Sequence, residues 1–565
     1  MTIGTVFVAA IVGGVLASKL RMPAVIGYIA AGVCLGNIAV RHLDIHFIET
    51  IGEVGVTLLL FTLGLEFSFH RLRKILPPLV APALLQVVVT ALVILPSLLL
   101  IGLPYYASVL IAIAGALSST AVVIRVLTER GELESVPGEV LTGWLVVQDL
   151  LVIPIMVFLP TIVSLAGRPL SPAAIAGLVA RDTLISAAVI GVVVILGRVV
   201  VPRILTWVAS INSREVLLIA VVGLVFTLAV GFASFGLSAA LGAFIAGLII
   251  AETSEHHEIF SEIRPLRDLF AIIFFVSLGL SLPIGDVIAS LPVVGIVLLL
   301  LFCVKMPLTY GICRFLGYHQ KTAFLVGVGL FQMSEFGFIL GKLGISLGII
   351  DAHTYANIVA VTFASIIIGA PFLSSGHRLY YRCKHTIFRY MPKLFRNTES
   401  STSSEELPYQ DHVVVCGYGR VGKYVGRALT MANVPYLVVD YNHATVRTLV
   451  EKGIPVLFGD PADRDVLDTA QVDKAKAVVI AIPDRHTQEL IIGNSLTLNR
   501  SVSIYCRSHH EEDQKDLKTL GVTAVIQPEF EAALSIVHKV LVSYGTESAD
   551  IAGKISRLKI EHGLG

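Results

Sequence analysis

Long apolar runs are what most constrains this chain. Residues 1–376 read as thirteen of them in succession: 3–18, 22–40, 50–69, 78–101, 104–127, 140–166, 183–207, 214–234, 236–251, 268–284, 288–313, 321–341 and 353–376. The hydrocarbon core of a bilayer is crossed by roughly 20 apolar residues in helical form. Inside lipid a backbone must satisfy its own hydrogen bonds, so spanning segments of this length are helices. The sequence predicts a polytopic all-α membrane domain of about thirteen spans, with the first, ninth and tenth short or poorly bounded. Composition changes after residue 376. Only 15% of the 565 residues are charged, against about 25% in soluble domains, and the deficit falls on the first part. Two regions in two solvents are expected.

The N-terminal run has no basic start and no small-residue cleavage site, so it reads as the first span and not as a signal peptide. A net charge of +1 gives no field that would recruit nucleic acid. Cys34, Cys303, Cys313, Cys383, Cys416 and Cys506 show no metal-binding spacing and read as unpaired thiols. Basic residues set the orientation. With the N-terminus outside, the cytosolic loops carry Lys19 and Arg21; Arg71, Arg73 and Lys74; Arg203 and Arg214; Arg264 and Arg267; Arg314 and Lys321. The external loops carry little beyond Arg41, Arg168 and Arg181. Thirteen spans then leave the C-terminus inside, in agreement with the basic run Arg378, Arg382, Lys384, Arg389 and Lys393.

An internal repeat recurs at a shift of 215 residues. Gly27–Gly32 (GYIAAG) matches Gly242–Gly247 (GAFIAG), Thr62–Leu65 (TLGL) matches Ser277–Leu280 (SLGL), and Ser119 matches Ser334. The shift carries the second span onto the ninth. Seven spans is an odd number, so the second copy runs through the membrane in the opposite direction. Inverted repeats of this kind place a binding site near the midplane, between discontinuous helices. The competing explanation is that Gly and Ala recur on any helix-packing face.

Few charges interrupt the apolar runs, and each is costly there. Asp149 lies ten residues past Glu139, about 15 Å along a helix and so near mid-depth. A buried carboxylate can hold a proton or a metal cation but not both well, because burial raises its pKa and a cation lowers it. That competition is the minimal chemistry of an antiporter. Lys305 is also near mid-depth, with Asp149 as its expected ion-pair partner and snorkelling as the alternative. Pro154 and Pro307 lie close to these residues and are placed to bend both helices. Ser118, Ser119 and Thr120 in the fifth span, and Ser334 and Glu335 at the repeat-related place in the twelfth, are the expected helix breaks. There freed carbonyls and hydroxyls can ligate a cation. Glu335 either lines the site or pairs with a helix end. Glu66, beside His70 and Arg71, lies nearer the interface, where a solvated role is at least as good. Gln148 precedes Asp149, so one carboxylate stands where two might, which points to one proton per cation and electroneutral exchange.

Residues 394–410 are polar and acidic and read as a linker. The strand HVVV then runs into Gly417, Tyr418, Gly419, Arg420, Val421 and Gly422, a GxGxxG turn opening a helix. That context is the one in which such a turn lets a pyrophosphate approach a helix N-terminus. The next strand ends at Asp440, where a ribose-binding acid is expected, and a third at Gly459 and Asp460, suited to the adenosine side. No hydride-transfer residues accompany the turn, so regulation is expected and enzyme activity is not.

The segments LLLFTLGLEFSF, ALSSTAVVIRVL, GWLVVQDLLVIP, LGAFIAGLIIAE and FFVSLGLSL resemble the monovalent cation:proton antiporter-2 family. With the GYGRVG domain, the whole chain is similar to its Kef-type branch of bacterial potassium-efflux antiporters. The soluble part resembles an RCK N-terminal (KTN, TrkA-N) domain. The resemblance implies an exchanger-type domain over 1–378, a basic juxtamembrane segment and linker over 379–410, a Rossmann-like α/β domain over 411–528 and a helical tail over 529–565. It implies a homodimer in the bacterial inner membrane, working by elevator-like alternating access, with Asp149 carrying ion and proton where the two broken helices cross. It implies NAD(H) or AMP as regulatory nucleotide, glutathione in some members, an ancillary cytosolic regulator, and a gating loop at Glu252–Arg267. The transported ions are K⁺ or Na⁺ and H⁺, and the sequence barely separates the two metals. A Na⁺/H⁺ antiporter of the same fold is the alternative. A potassium channel is the lesser one, since GYG occurs only at Gly417–Gly419 and no filter loop lies between spans.

Overall fold

The computed structural model describes residues 2–19, 22, 24–38, 44–66, 77–133, 135–165, 191, 193, 195, 197–211, 213–234, 239–280, 284–390, 410–508 and 516–561. The chain divides into two compact units, one of residues 1–123, 140–312 and 327–373, the other of 124–139, 313–326 and 374–565. Of the expected basic residues, Arg21, Arg41, Arg71, Arg73, Lys74, Arg168, Arg181 and Lys393 lie outside the described residues, as do His70 and most of the linker.

The membrane helices are α1 (Thr2–Lys19), α2 (Ala24–Ile38), α3 (Ile45–Glu66), α4 (Pro77–Leu100), α5 (Tyr105–Ala116), α6 (Thr120–Glu129) and α7 (Val136–Leu165). After a helical stretch at 197–209 follow α8 (Arg214–Ser234), α9 (Ala239–Ile250), α10 (His256–Leu280), α11 (Ile284–Ala289), α12 (Leu291–Leu300), a π segment (Leu301–Lys305), α13 (Met306–Phe315), α14 (Gln320–Gly329), α15 (Phe336–Ser346) and α16 (Ala352–Ser374). Each expected span overlies a helix; for 183–207 only the second half is continuously described. Among the described residues seven candidate spans are long and apolar enough to cross a membrane, and shorter apolar helices accompany them.

One boundary differs. The tenth helix begins at His256 and not near 268, so most of the expected gating loop Glu252–Arg267 is helical. Its charges hid a helical stripe: Ile259 and Ile263 are buried at i, i+4 spacing, with Leu266 and Phe270 packed beside them. Arg214 pairs with Glu262 on the polar side.

The repeat is visible in the packing. A shift of 215 carries the start of α2 (Ala24) onto that of α9 (Ala239), and α5 (Tyr105) onto α14 (Gln320). A Cβ on Gly32 would lie 2.2 Å from the Val276 carbonyl oxygen and 2.9 Å from Gly279 Cα; one on Gly247 would lie 2.1 Å from the Phe61 oxygen and 2.9 Å from Gly64 Cα. Every member of one set is 215 residues from its counterpart. Helix α2 therefore meets α10 as α9 meets α3, an exchange of partners that a pseudo-two-fold requires. Only glycine lets these backbones touch.

The second unit contains a six-stranded parallel sheet: β1 (Val413–Cys416), β2 (Tyr436–Asp440), β3 (Val456–Phe458), β4 (Ala477–Ile480), β5 (Ser503–Arg507) and β6 (Ala524–Ile526), in the order β3-β2-β1-β4-β5-β6. The central strands are continuous β-branched or apolar runs, as strands covered on both faces must be. Strand order reverses between β1 and β4, the switch point at whose carboxyl ends such sheets bind ligands. An amphipathic helix at Gly376–Tyr390 precedes the sheet, and helices at Pro528–Ser543 and Ser548–Glu561 follow it.

Candidate ion site and nucleotide crevice

Helices α5 and α6 are one span interrupted at 117–119, and α14 and α15 another interrupted at 330–335. Leu117 is extended (φ −83°, ψ 156°). Both interruptions fall where the sequence expected them. Each leaves carbonyls at the end of one half-helix and N–H groups at the start of the other without helical partners. Asp149, from the middle of α7, is 3% exposed, and its Oδ2 accepts a hydrogen bond from the Thr120 hydroxyl at 2.8 Å. Thr120 opens α6, so the carboxylate stands at a positive helix end. Glu335 faces the Ser119 hydroxyl and the Ala121 amide, and its Oε2 is buried without a hydrogen-bond partner. Ser118 donates from its hydroxyl to the Leu330 carbonyl at 2.9 Å, tying one break to the other. Ser334 is fully buried.

Lys305 does not pair with Asp149. Its Nζ donates to the carbonyls of Leu117 at 2.8 Å and Gln332 at 3.1 Å. These two residues are themselves 215 apart, so one Nζ bridges the equivalent carbonyl ends of both broken helices, where the helix dipoles are negative. The sequence suggested a carboxylate partner because the unwound carbonyls are invisible in it. A π turn sets the lysine's position. The N–H of Met306 reaches the Leu301 carbonyl, and Pro307, which has no N–H to give, follows at once. Pro154 lies inside a continuous α7.

Gln148 turns away from the carboxylate beside it in sequence. Its Oε1 accepts from the Ser118 N–H at 2.9 Å and its Nε2 donates to Gln86 Oε1 at 2.6 Å. Gln86 carried no expectation from sequence, although a lone amide in the apolar helix α4 is a readable signal.

In the second unit Gly417 has φ +90°, a conformation that favours glycine, and a Cβ there would lie 2.8 Å from the Ile482 side chain. Gly419 has open space around it and caps the helix that begins at Arg420; Val421 and Gly422 form its first turn. Asp440 accepts the Tyr418 and Asn442 N–H groups, each at 2.7 Å. Burial raises its pKa, and those two hydrogen bonds oppose the rise. An ionised carboxylate still has acceptor capacity to spare for a ribose. Gly459 packs on Val466. Asp460 is fully buried, accepts from Tyr381 at 2.9 Å and lies 3.4 Å from Lys321 Nζ. Burial opposes its charge, but Lys321 and His319 hold its carboxyl below the usual range.

Asp484, just past β4, lies 2.8 Å from Arg130 and 3.2 Å from His377 Nδ1, while Glu132 lies 2.8 Å from Arg130 and 3.2 Å from His377 Nε2. Burial opposes both carboxylates, yet His377 with Arg130, joined at Asp484 by Lys321, holds them below the ordinary range. Glu132, His377 and Asp484 bring ligand-type atoms within 4.8 Å of one another. The two ring nitrogens face different carboxylates and a guanidinium already serves both acids, so these groups are engaged with one another and make a poor metal cage. Its members lie up to 354 residues apart, Arg130 to Asp484, which is why no local pattern announced them.

The description "Sodium/hydrogen exchanger, transmembrane" matches residues 6–374, and "TrkA-N domain" matches residues 413–528. The chain belongs to the sodium/hydrogen exchanger family. The match spans both broken helices, Asp149 and Lys305. The chain is 28% identical over 540 residues to YbaL of Escherichia coli, described as a candidate cation/proton antiporter, covering 94% of this chain and 95% of that one. It is 29% identical over 536 residues to the glutathione-regulated potassium-efflux system protein KefC of Klebsiella pneumoniae, covering 94% and 83%. The sodium proton antiporter MjNhaP1 of Methanocaldococcus jannaschii shares the membrane fold, with a TM-score of 0.53 at 14% identity over 67% of this chain and 97% of that one. In this exchanger the TrkA-N domain is the parallel sheet with its glycine turn.

Proposed function

We propose that the chain exchanges a monovalent cation, K⁺ leaving, for an entering proton, with Asp149 as the shared carrier and the TrkA-N domain as a nucleotide-responsive regulator. One observation carries this: a single carboxylate, 3% exposed, bonded to Thr120 at the start of a broken helix. A carboxylate withdrawn from water needs a partner for its charge, and a bound proton is one way to remove that charge. A desolvated cation ligated by the carboxylate and nearby freed carbonyls favours the ionised form. The two cargoes exclude each other at one group, so each inward or outward exposure exchanges one for the other. One charge titrates per cycle, which makes the exchange electroneutral. Relatives named for potassium efflux support K⁺ over Na⁺.

The glycine turn, Asp440 and the switch point between β1 and β4 support NAD(H) or AMP as the regulatory ligand. Membership of an integral-membrane exchanger family supports the reading of a homodimer in the bacterial inner membrane. The orientation draws support from the second unit. The turn holding His319 and Lys321 and the segment after α16 are on the side that charge counting puts in the cytosol, the loop holding Arg130 and Glu132 falls on that side by alternation of the spans, and all three pack with the Rossmann-like domain.

The test is proteoliposome exchange with K⁺, Na⁺, Rb⁺ and Li⁺, with and without NADH, AMP and glutathione. Proton flux should follow K⁺ without current and should vanish in Asp149→Asn, which still folds and binds nucleotide. Undiminished exchange in that variant, or current proportional to flux, refutes the mechanism.

A further inference from the structure

Gln148 and Gln86 form a closed hydrogen-bonded circuit around the first helix break. Leu117 is extended, so the Ser118 N–H and the Ala116 carbonyl lose the partners a continuous helix gives them. Two carboxamides take over. The Ser118 N–H donates to Gln148 Oε1 at 2.9 Å, Gln148 Nε2 donates to Gln86 Oε1 at 2.6 Å, and Gln86 Nε2 donates to the Ala116 carbonyl at 3.1 Å. The path leaves the unwound turn at one backbone group and returns to it two residues earlier. Thr90 accepts a second bond from Gln86 Nε2 at 3.1 Å. Both amides are fully buried.

The circuit has a single polarity. Flipping either amide sets donor against donor or acceptor against acceptor, and an unpaired buried polar group is expensive. Each side chain therefore has one permitted orientation. Gln148 is also covalently next to Asp149, so whatever fixes Gln148 fixes the turn of α7 that carries the carboxylate. Gln86 touches neither Asp149 nor Thr120 through any hydrogen bond, and its influence on them runs through Gln148 and the turn at Leu117–Ser119.

We propose that Gln86 is a positioning residue for cation exchange: it locks the Gln148 carboxamide onto the unwound turn, so that Gln148 serves as a backbone clamp and not as a cation ligand. The proposal rests on Asp149 being the exchange site. It makes the adjacent amide and carboxylate a division of labour, with one side chain holding the break open and the other carrying the cargo.

The experiment measures K⁺-dependent proton exchange in proteoliposomes for wild type, Gln86→Leu and Gln86→Glu, with folding checked by monodispersity in detergent. Gln86→Leu fills the space but breaks the circuit. Its apparent KM for K⁺ should rise roughly tenfold, the factor expected for one lost buried hydrogen bond at a ligand-supporting position, with a smaller fall in maximal rate. Gln86→Glu separates clamping from packing. When protonated, its side chain accepts from Gln148 and donates one O–H to the Ala116 carbonyl; when ionised, it has no donor left. The groups bonded to position 86, namely Gln148, Thr90, Trp144 and the Ala116 carbonyl, do not themselves titrate in the working range. Exchange by Gln86→Glu should approach wild type at acid pH and fall as pH rises, adding a limb absent from the wild-type profile. If wild type exchanges cations but Gln86→Leu keeps the wild-type KM, or Gln86→Glu keeps the wild-type pH profile, the clamp is refuted. If Gln86→Leu does not fold, the Gln86→Glu profile decides alone. Absence of exchange in wild type would sink the proposed function instead.

Discussion

Replacing Asp484 by Asn tests whether the buried ion cluster holds the second unit together. Asp484 is 3% exposed, pairs with Arg130 at 2.8 Å and His377 at 3.2 Å, and accepts the Thr487 N–H at 2.8 Å as a helix N-cap. Asn caps nearly as well as Asp, so the substitution removes charge and spares the cap. Removing one partner from a buried ion pair costs about 3–5 kcal/mol. Here Glu132 still lies 2.8 Å from Arg130, whose side chain is 24% exposed, so part of the compensation and some hydration survive. The expected loss is therefore about 2–3 kcal/mol, and Asp484→Ala should lose about 1 kcal/mol more with the cap. Hydrogen exchange followed by mass spectrometry on the full chain in detergent reads this locally, at 129–135 and 484–490. The pH dependence has a definite sign. Both acids titrate lower in the folded protein than in the unfolded chain, so their contribution is complete above the unfolded value of about 4 and is lost as pH falls through the folded values. Wild type and Asp484→Asn should converge in strong acid. A difference within about 0.5 kcal/mol at pH 7, the scatter of ordinary surface changes, or a gap that does not change with pH, would refute the reasoning.

Three other outcomes are expected. His319, buried against Tyr441 and Phe458, has its pKa pushed down to about 4 by burial, with Lys321 adding to it. The second unit should lose stability as pH falls from about 6.5 toward that value, and His319→Phe should flatten the slope in a denaturation series. Gly247→Ala sets a Cβ 2.1 Å from the Phe61 carbonyl oxygen, so α9 must part from α3; the yield of monodisperse protein should fall sharply, and a wild-type yield would count against the glycine contact. Gly417→Ala meets both a φ of +90° and the Ile482 side chain, which costs about 1–3 kcal/mol; thermal stabilisation by NADH or AMP should vanish in it while exchange persists.

Legibility differed by the range over which the residues act. Asp149 and the serine-rich breaks could be read because polarity inside an apolar run is local information. The glycine turn was readable because strand, turn and helix are contiguous. Gln86 sat in plain view as a lone amide in an apolar helix, yet its meaning needed the break it supports. The start of α10 was misplaced because hydropathy averages over a helix, and the charges on its polar side concealed the buried pair Ile259 and Ile263. Lys305 was assigned the wrong partner because sequence shows side chains and hides carbonyls, and two unwound carbonyls accept from its Nζ.

By itself the sequence determined that this chain enters a membrane many times, repeats itself with reversed direction and carries a nucleotide-type module on its end. Those properties follow from apolar length, periodic glycine and contiguous strand-turn-helix chemistry, each written within a few dozen residues. The tertiary structure decided which groups meet: Asp149 with Thr120, Lys305 with two helix ends, Gln148 with Gln86, and Arg130 and His377 with Asp484. Such contacts arise where separate segments are desolvated together, and a buried charge or amide then takes whichever partner the packing supplies.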